Sequence, residues 1–367
     1  MKRSLLPLLL CLALLTTGQP AQAEGGGRPL AIRGADISSL AKSEALGGVY
    51  RDRKGRPGDA LRILRDGGLN YVRLKVWVDP ADGYNDKARV LAIAKRAKAL
   101  GMGLLVDFHY SDAWADPGKQ NKPAAWAGLT YEQLKQAVYD HTFDVLDALR
   151  RQGTTADLVQ TGNELNGGLL WPDGRYDDWP GMAGLLGAAH DAVKAVSSRT
   201  KVVIHLANGG DNGLYRWWFD TAAQHGIRYD VIGLSYYPYW HGTLDAFQAN
   251  LNDVATRYGK PLIVAETAYP FTTADKDGWE NIITSAEPYP GHPATPAGQA
   301  ALIRKVSDLV RAVPGGLGLG VFYWEATWTG VPGNGWDPAD PSTGNGWENQ
   351  ALFDYSDRLL PAIGAIR

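Results

Sequence analysis

The chain has 367 residues, with 37 Lys and Arg against 39 Asp and Glu, and a single cysteine. A formal charge of −2 gives no electrostatic case for nucleic acid or an anionic surface as partner. One cysteine excludes an internal disulfide and Cys-ligated zinc, and the length suits either two small domains or one large α/β domain.

In chain order, Lys2 and Arg3 precede an apolar run over 5–15, and Ala21-Gln22-Ala23 has the small-x-small form of a signal-peptidase site. Residues 1–23, which include Cys11, are therefore expected to be a signal peptide, because the run is too short to span a bilayer. The mature chain, 24–367, is expected to be secreted, free of cysteine and of membrane spans. Its rigidity must come from a large core or a bound metal.

Eight short apolar runs follow, at 30–37, 71–76, 103–108, 157–161, 201–206, 230–235, 261–265 and 319–323. Between them, apolar residues at three- and four-residue spacing predict helices over 87–100, 131–152, 182–197, 244–258 and 295–313. Strand–helix alternation implies a parallel sheet with right-handed crossovers. Eight repeats of this length predict a single-domain (β/α)8 barrel with long βα loops. No Pro/Ser-rich linker divides the chain, and 330–346 is expected to be a long, functional loop after the last strand.

In such a barrel, chemistry sits at the C-terminal strand ends. Two of these ends carry a carboxylate behind a buried run: Asn163-Glu164 on the fourth strand and Glu266 on the seventh. Thirteen Trp and seventeen Tyr suit stacking on sugar C–H faces. Retaining glycoside hydrolysis needs a carboxyl pair about 5–5.5 Å apart, one acid and one nucleophile, held in different environments. Arg73, from strand two, can keep Glu266 ionised. Asn163 is placed to bond the sugar 2-OH, and a strand-six Tyr to donate to the nucleophile. Tyr236 and Tyr237 point to opposite faces, and Tyr237 is chosen. Trp324 is expected under the reacting sugar. His109 is read as a donor to that sugar rather than a packed histidine. Trp114, Trp240 and Trp328 serve equally well as sugar platforms or loop packing.

The run of motifs resembles the retaining glycoside hydrolases of clan A, and within them the arabinogalactan endo-β-1,4-galactanases, glycoside hydrolase family 53. The stretches that carry the resemblance are Gly34-Ala35-Asp36-Ile37-Ser38-Ser39, Val72-Arg73-Leu74-Lys75-Val76-Trp77, Asp107-Phe108-His109-Tyr110-Ser111-Asp112, Gly162-Asn163-Glu164, Ser235-Tyr236-Tyr237-Pro238, Glu266-Thr267-Ala268-Tyr269-Pro270 and Asn349-Gln350-Ala351-Leu352-Phe353-Asp354. They run in order over nearly the whole mature chain. The resemblance implies Glu164 as acid/base, Glu266 as nucleophile and β-1,4-galactan, a pectin side chain, as substrate. Neither nucleic acid, membrane nor a second subunit is expected as partner.

The segment Asp275-Lys276-Asp277-Gly278-Trp279-Glu280-Asn281 spaces oxygen ligands in the manner of a calcium loop, though a solvated acidic loop fits the pattern as well. The resemblance adds a structural Ca2+. Its ligands would be Asp275, Asp277, Asn281 and the Trp279 carbonyl, with Asn345 and Glu348 closing the sphere. Departures from the family pattern, at Ala113 and over 165–172, touch loops that shape subsites. The rivals are another clan-A endo-hydrolase, a mannanase or cellulase, and a non-catalytic carbohydrate-binding barrel.

Overall fold

The computed structural model describes residues 29–367, so residues 1–23, expected to be a signal peptide, and Cys11 among them, lie outside the described residues. Eight parallel strands close into a barrel: β1 (Ile32–Asp36), β2 (Tyr71–Val76), β3 (Gly103–Phe108), β4 (Leu158–Gln160), β5 (Lys201–Leu206), β6 (Val231–Ser235), β7 (Leu262–Thr267) and β8 (Gly318–Tyr323). Closure is made by β1, which pairs with β8 on one side and β2 on the other. The helices are α1 (Leu40–Ala45), α2 (Ala60–Asp66), α3 (Lys87–Ala99), α4 (Tyr131–Arg151), α5 (Trp179–Val196), α6 (Asn212–Gln224), α7 (Leu244–Tyr258) and α8 (Pro296–Arg311).

The expected strands and the barrel are all present. Three helices carry no readable pattern. The first two, α1 and α2, have only six and seven residues. The third, α6, opens with Asn212-Gly213, a turn signal, and is held by Asp211, whose side chain accepts from the Leu214 amide. The eighth strand has no full helix after it. A 3₁₀ turn, Pro361–Ala365, packs against α8 in its place.

Each strand is buried on both faces, which explains its unbroken apolar run. Leu104 and Val106 point outward into the helix-facing core. Leu105, between them, points into the barrel with Leu158, Val203, Val231, Ile263 and Phe322. Gly34 leaves room for this plug, since a Cβ there would lie 2.2 Å from the Phe322 ring. Side chains alternate with period two, so the next inward residues toward the C-terminal face are Arg73, Asp107, Gln160 and His205. The barrel interior therefore turns from apolar to charged in one step, directly below the mouth.

Candidate active site

Arg73 is the hub of that charged layer, 1 % exposed. Its Nη1 donates to Asp36 Oδ2 (2.7 Å), its Nε to Gln160 Oε1 (2.8 Å), and its Nη2 to Asp107 Oδ2 (2.8 Å) and Asn163 Oδ1 (2.9 Å). Nη2 also meets Glu266 Oε1 at 2.8 Å. Burial opposes ionisation of Asp107, but Arg73 and His109 outweigh it and hold this carboxyl below its usual range. A buried cation among three carboxylates satisfies the requirement that buried charge be paired and hydrogen-bonded.

Glu266 ends β7 with both carboxylate oxygens engaged: Oε1 by Arg73 and Oε2 by the Tyr237 hydroxyl at 3.0 Å. Burial and the Glu266 charge hold the Tyr237 proton in place, well above the usual range for a phenol, so Tyr237 is a donor here. Tyr236 points the other way, stacked on Phe247 at 3.9 Å.

Glu164 is reached differently. Its strand stops at Gln160, and Thr161-Gly162-Asn163 lifts the chain over the barrel rim. Gly162 has φ 118° and Glu164 itself φ 48°, a left-handed conformation that a non-glycine residue holds only when its surroundings impose it. Oε1 of Glu164 is 2.6 Å from Ser235 Oγ on β6. Burial, and then the charge of Glu266, push its pKa up to about 8. Burial raises Glu266 as well, but Arg73 opposes it, so the proton shared by the pair belongs on Glu164.

Ser235 Oγ in turn lies 2.8 Å from His205 Nε2. Nδ1 of His205 faces the Gln160 amide and the Asn163 carbonyl, each at 2.9 Å. One neighbour is a donor and the other an acceptor, so the tautomer decides which is satisfied. Burial and the nearby Arg73 keep this ring uncharged.

Glu164, Glu266, Asn163, Tyr237 and Trp324 line one cleft of about 320 Å³. Asn163 spends its carbonyl on Arg73 and one amide hydrogen on the Ala115 carbonyl, leaving one N–H. Trp324 stands 4.7 Å from Trp347, nearly perpendicular. The donor reading of His109 needs correction. Nε2 is 3.0 Å from Asp107, and Nδ1 accepts from the Ala115 amide (3.1 Å) and the Trp77 indole (3.3 Å). Its ring lines the cleft without a free N–H, because Asp107 takes the proton.

The sequence reading gave no role to His205, Ser235 or Trp347. For His205 a signal existed: a titratable residue inside an apolar strand run, two residues beyond the inward-facing Val203. Also unassigned was Lys75, whose Nζ is 2.5 Å from Glu325 Oε1 and 3.7 Å from the centre of the Trp114 ring. Lys75 and Glu325 are buried. Trp114, half-buried, forms part of the cleft wall.

Away from the cleft, Asp275, Asp277 and Glu348 bring one carboxylate oxygen each within 4.8 Å of one another. Glu348 Oε2 and Asn281 Oδ1 are buried and lack a hydrogen-bond partner among the described residues. Burial, and then the charge of Asp277, raise the Glu348 carboxyl. Converging carboxylates with two orphaned oxygens are a donor set that fits a hard divalent cation. Asn345 departs from its expected role. Its Oδ1 accepts from the Trp347 backbone N–H, and its own backbone N–H donates to Asp277 Oδ2, so it braces the cluster rather than offering a free side-chain oxygen. At Trp279 it is the backbone N–H that touches the cluster, donating to Asp277 Oδ1.

A parallel barrel with a buried, asymmetrically held carboxyl pair in an aromatic cleft at its C-terminal mouth defines a glycoside-hydrolase-type protein. The profile of glycosyl hydrolase family 53 matches residues 32–366, and the chain belongs to that family of enzymes. It is 37 % identical to the endo-beta-1,4-galactanase of Bacillus subtilis, over 90 % of this chain and 84 % of that one. It is also 37 % identical to the arabinogalactan endo-beta-1,4-galactanase of Thermothelomyces thermophilus, over 92 % and 99 %. The solved GH53 catalytic domain of Ignisphaera aggregans superposes with a TM-score of 0.88 at 43 % identity, covering 93 % of this chain and 98 % of that one.

Proposed function

We propose that this chain is a secreted, endo-acting β-1,4-galactanase that cleaves the galactan side chains of pectin with retention of configuration. The observation that carries the reading is the unequal treatment of two carboxyls in one cleft: Glu164 is pushed up to about 8 by burial and by Glu266, whereas Glu266, also raised by burial, has Arg73 and Tyr237 on its two oxygens opposing that rise. The galactanase relatives supply the substrate.

Glu164 gives its proton to the glycosidic oxygen as that bond breaks. Glu266 Oε attacks the anomeric carbon from the other face, forming a glycosyl ester. Ionised Glu164 then takes a proton from water, whose oxygen displaces Glu266 and restores both groups. Arg73 and Tyr237 fix the nucleophile's direction. Ser235 offers Glu164 a partner in either state: its hydroxyl donates to the carboxylate or accepts from the acid, and His205 changes tautomer to match.

Likeness to mannanases and xylanases, at 14–16 % identity, shows the fold alone, so mannan and carboxymethylcellulose are the controls. Reducing-sugar release from galactan, little from either control, and loss of turnover in Glu266→Ala are expected. Equal, near-zero rates in wild type and variant would leave a non-catalytic sugar-binding barrel.

Two further parts belong to the reading. Residues 1–23 are removed on export, and mass spectrometry of the mature protein should place its first residue at Glu24. Asp275, Asp277, Glu348 and Asn281 hold Ca2+, which supplies charge neutralisation and ties the loop after β7 to the loop after β8. The protein acts as a monomer on its polysaccharide. No helix among the described residues is long and apolar enough to cross a membrane.

A further inference from the structure

Beyond the cleft, a second set of rings is exposed. Tyr176, in the loop between β4 and α5, is 43 % exposed, and Trp217, on α6, is 42 % exposed. Their centroids lie 6.3 Å apart at 72°. Trp217 rests against Trp179 at the start of α5 (5.7 Å, 75°), and Trp179 stacks on His225 (5.9 Å, 13°). The platform is thus braced from within. The inner side of α6 is already filled by Tyr215, Trp218, Phe219 and Ala222, so packing of this helix does not require Trp217.

The strip continues to the cleft. The Arg175 guanidinium lies 5.5 Å from the Tyr176 ring and 5.7 Å from the Trp171 ring. A Cβ on Gly167 would touch both Trp171 and the Pro117 carbonyl, and Pro117 is part of the cleft wall. Trp171 also donates its amide to the Gln120 carbonyl, and the Gln120 side chain donates to the carbonyl of Asn163. Trp171, Arg175, Tyr176 and Trp217 therefore lead from the rim beside Glu164 outward onto α6.

The surroundings choose the occupant. A stable protein partner needs about 800 Å² per side with an apolar centre. Here two rings stand beside Arg175 and Asp177, whose side chains are 46 % and 62 % exposed. Isolated flat rings edged by hydrogen-bonding groups match a sugar chain: C–H faces on the rings, hydroxyls on Arg175 and Asp177.

We propose that Trp171, Tyr176 and Trp217 form a distal strip that binds the stretch of galactan lying beyond the cleft. The inference rests on the galactanase reading and extends it. A distal contact acts through effective concentration, so it favours long chains and leaves short ones untouched.

The test is Tyr176→Ala, Trp217→Ala and the double variant, assayed on polymeric galactan and on galactotetraose, with melting curves as the control of folding. Both side chains are exposed, so the variants should melt with the wild type. The double variant should show a polymer KM raised about tenfold. Its kcat, and its kinetics on galactotetraose, should stay within about twofold, and it should run less retarded through galactan-containing native gels. An unchanged polymer KM and gel mobility, or an equal loss on both substrates, overturns the strip while leaving the galactanase reading intact. A change of oligomeric state in the double variant also overturns it, by making a second copy the occupant. A wild type inactive on galactan removes both readings together.

Discussion

Glu164 combines a left-handed backbone, a buried side chain and a hydroxyl partner, and the burial has a consequence for pH. A carboxyl whose pKa is raised from 4.5 to about 8 on folding keeps its proton in the folded state between those values, while the unfolded chain has lost it. Stability therefore falls as pH rises through that window, because the folded state binds more protons. Glu164→Gln has nothing to titrate there, and its denaturation midpoint should be flatter between pH 5 and 8 (roughly the window set by the two pKa values) than that of the wild type. The same proton sets the alkaline limb of kcat/KM: activity should fall above about pH 8, and Glu164→Gln should lose about 10²–10⁴-fold on substrates with poor leaving groups. Lys75 makes a second claim at this scale. Lys75→Met leaves Glu325 buried without its cation and should lower stability by about 3–5 kcal/mol in a urea titration. Lys75→Met/Glu325→Gln should recover more than half of that. If the single and double variants unfold at the same midpoint, the pair is not what holds this corner.

At the level of elements, the strands were legible because burial on both faces writes them as apolar runs, and α3, α4, α5, α7 and α8 because one face stays apolar at helical spacing. The hidden elements are those whose reasons are tertiary. α2 exists because Asp59 caps it and its apolar side, Ala60, Leu61, Ile63 and Leu64, is buried in the core. The 3₁₀ turn Pro361–Ala365 stands where an eighth helix would, because α8 packs on it. Glu164, Glu266, Arg73 and Tyr237 could be named from strand ends, but period two alone would not send Glu266 inward: Ile263 and Ala265 already face the barrel interior, and the pairing shifts register between Val264 and Thr267. His109 was misjudged because its fate depends on Asp107, two residues away on the same face, and on the backbone of Ala115, and neither contact has a sequence pattern. The loops after β7 and β8 test the cation proposal. Chelation with EDTA should lower the melting temperature of the wild type, and Asp277→Asn should lower it without chelator and lose the response. A melting curve indifferent to EDTA would return this cluster to a solvated acidic loop.

For the molecule as a whole, the barrel divides its labour along its axis. An apolar plug at Leu105, Leu158, Val203 and Phe322 supplies the support. One residue layer higher, Arg73 gathers three carboxylates, Glu266 among them. Above that, the loops close an aromatic cleft. Stability and chemistry thus occupy successive layers of the same strands, and variants of the plug should change unfolding before they change kcat. Phe322→Ala should cost about 3–5 kcal/mol through the cavity it leaves, with KM for galactan near the wild-type value, as measured by urea denaturation and initial rates. The account as a whole stands on two carboxyls with separate tasks, and stereochemistry reads those tasks directly. Proton NMR of galactan hydrolysis, recorded before mutarotation equilibrates the products, should show the β-anomer of the new reducing end first; initial appearance of the α-anomer would mean single displacement by water and would contradict Glu266 as nucleophile.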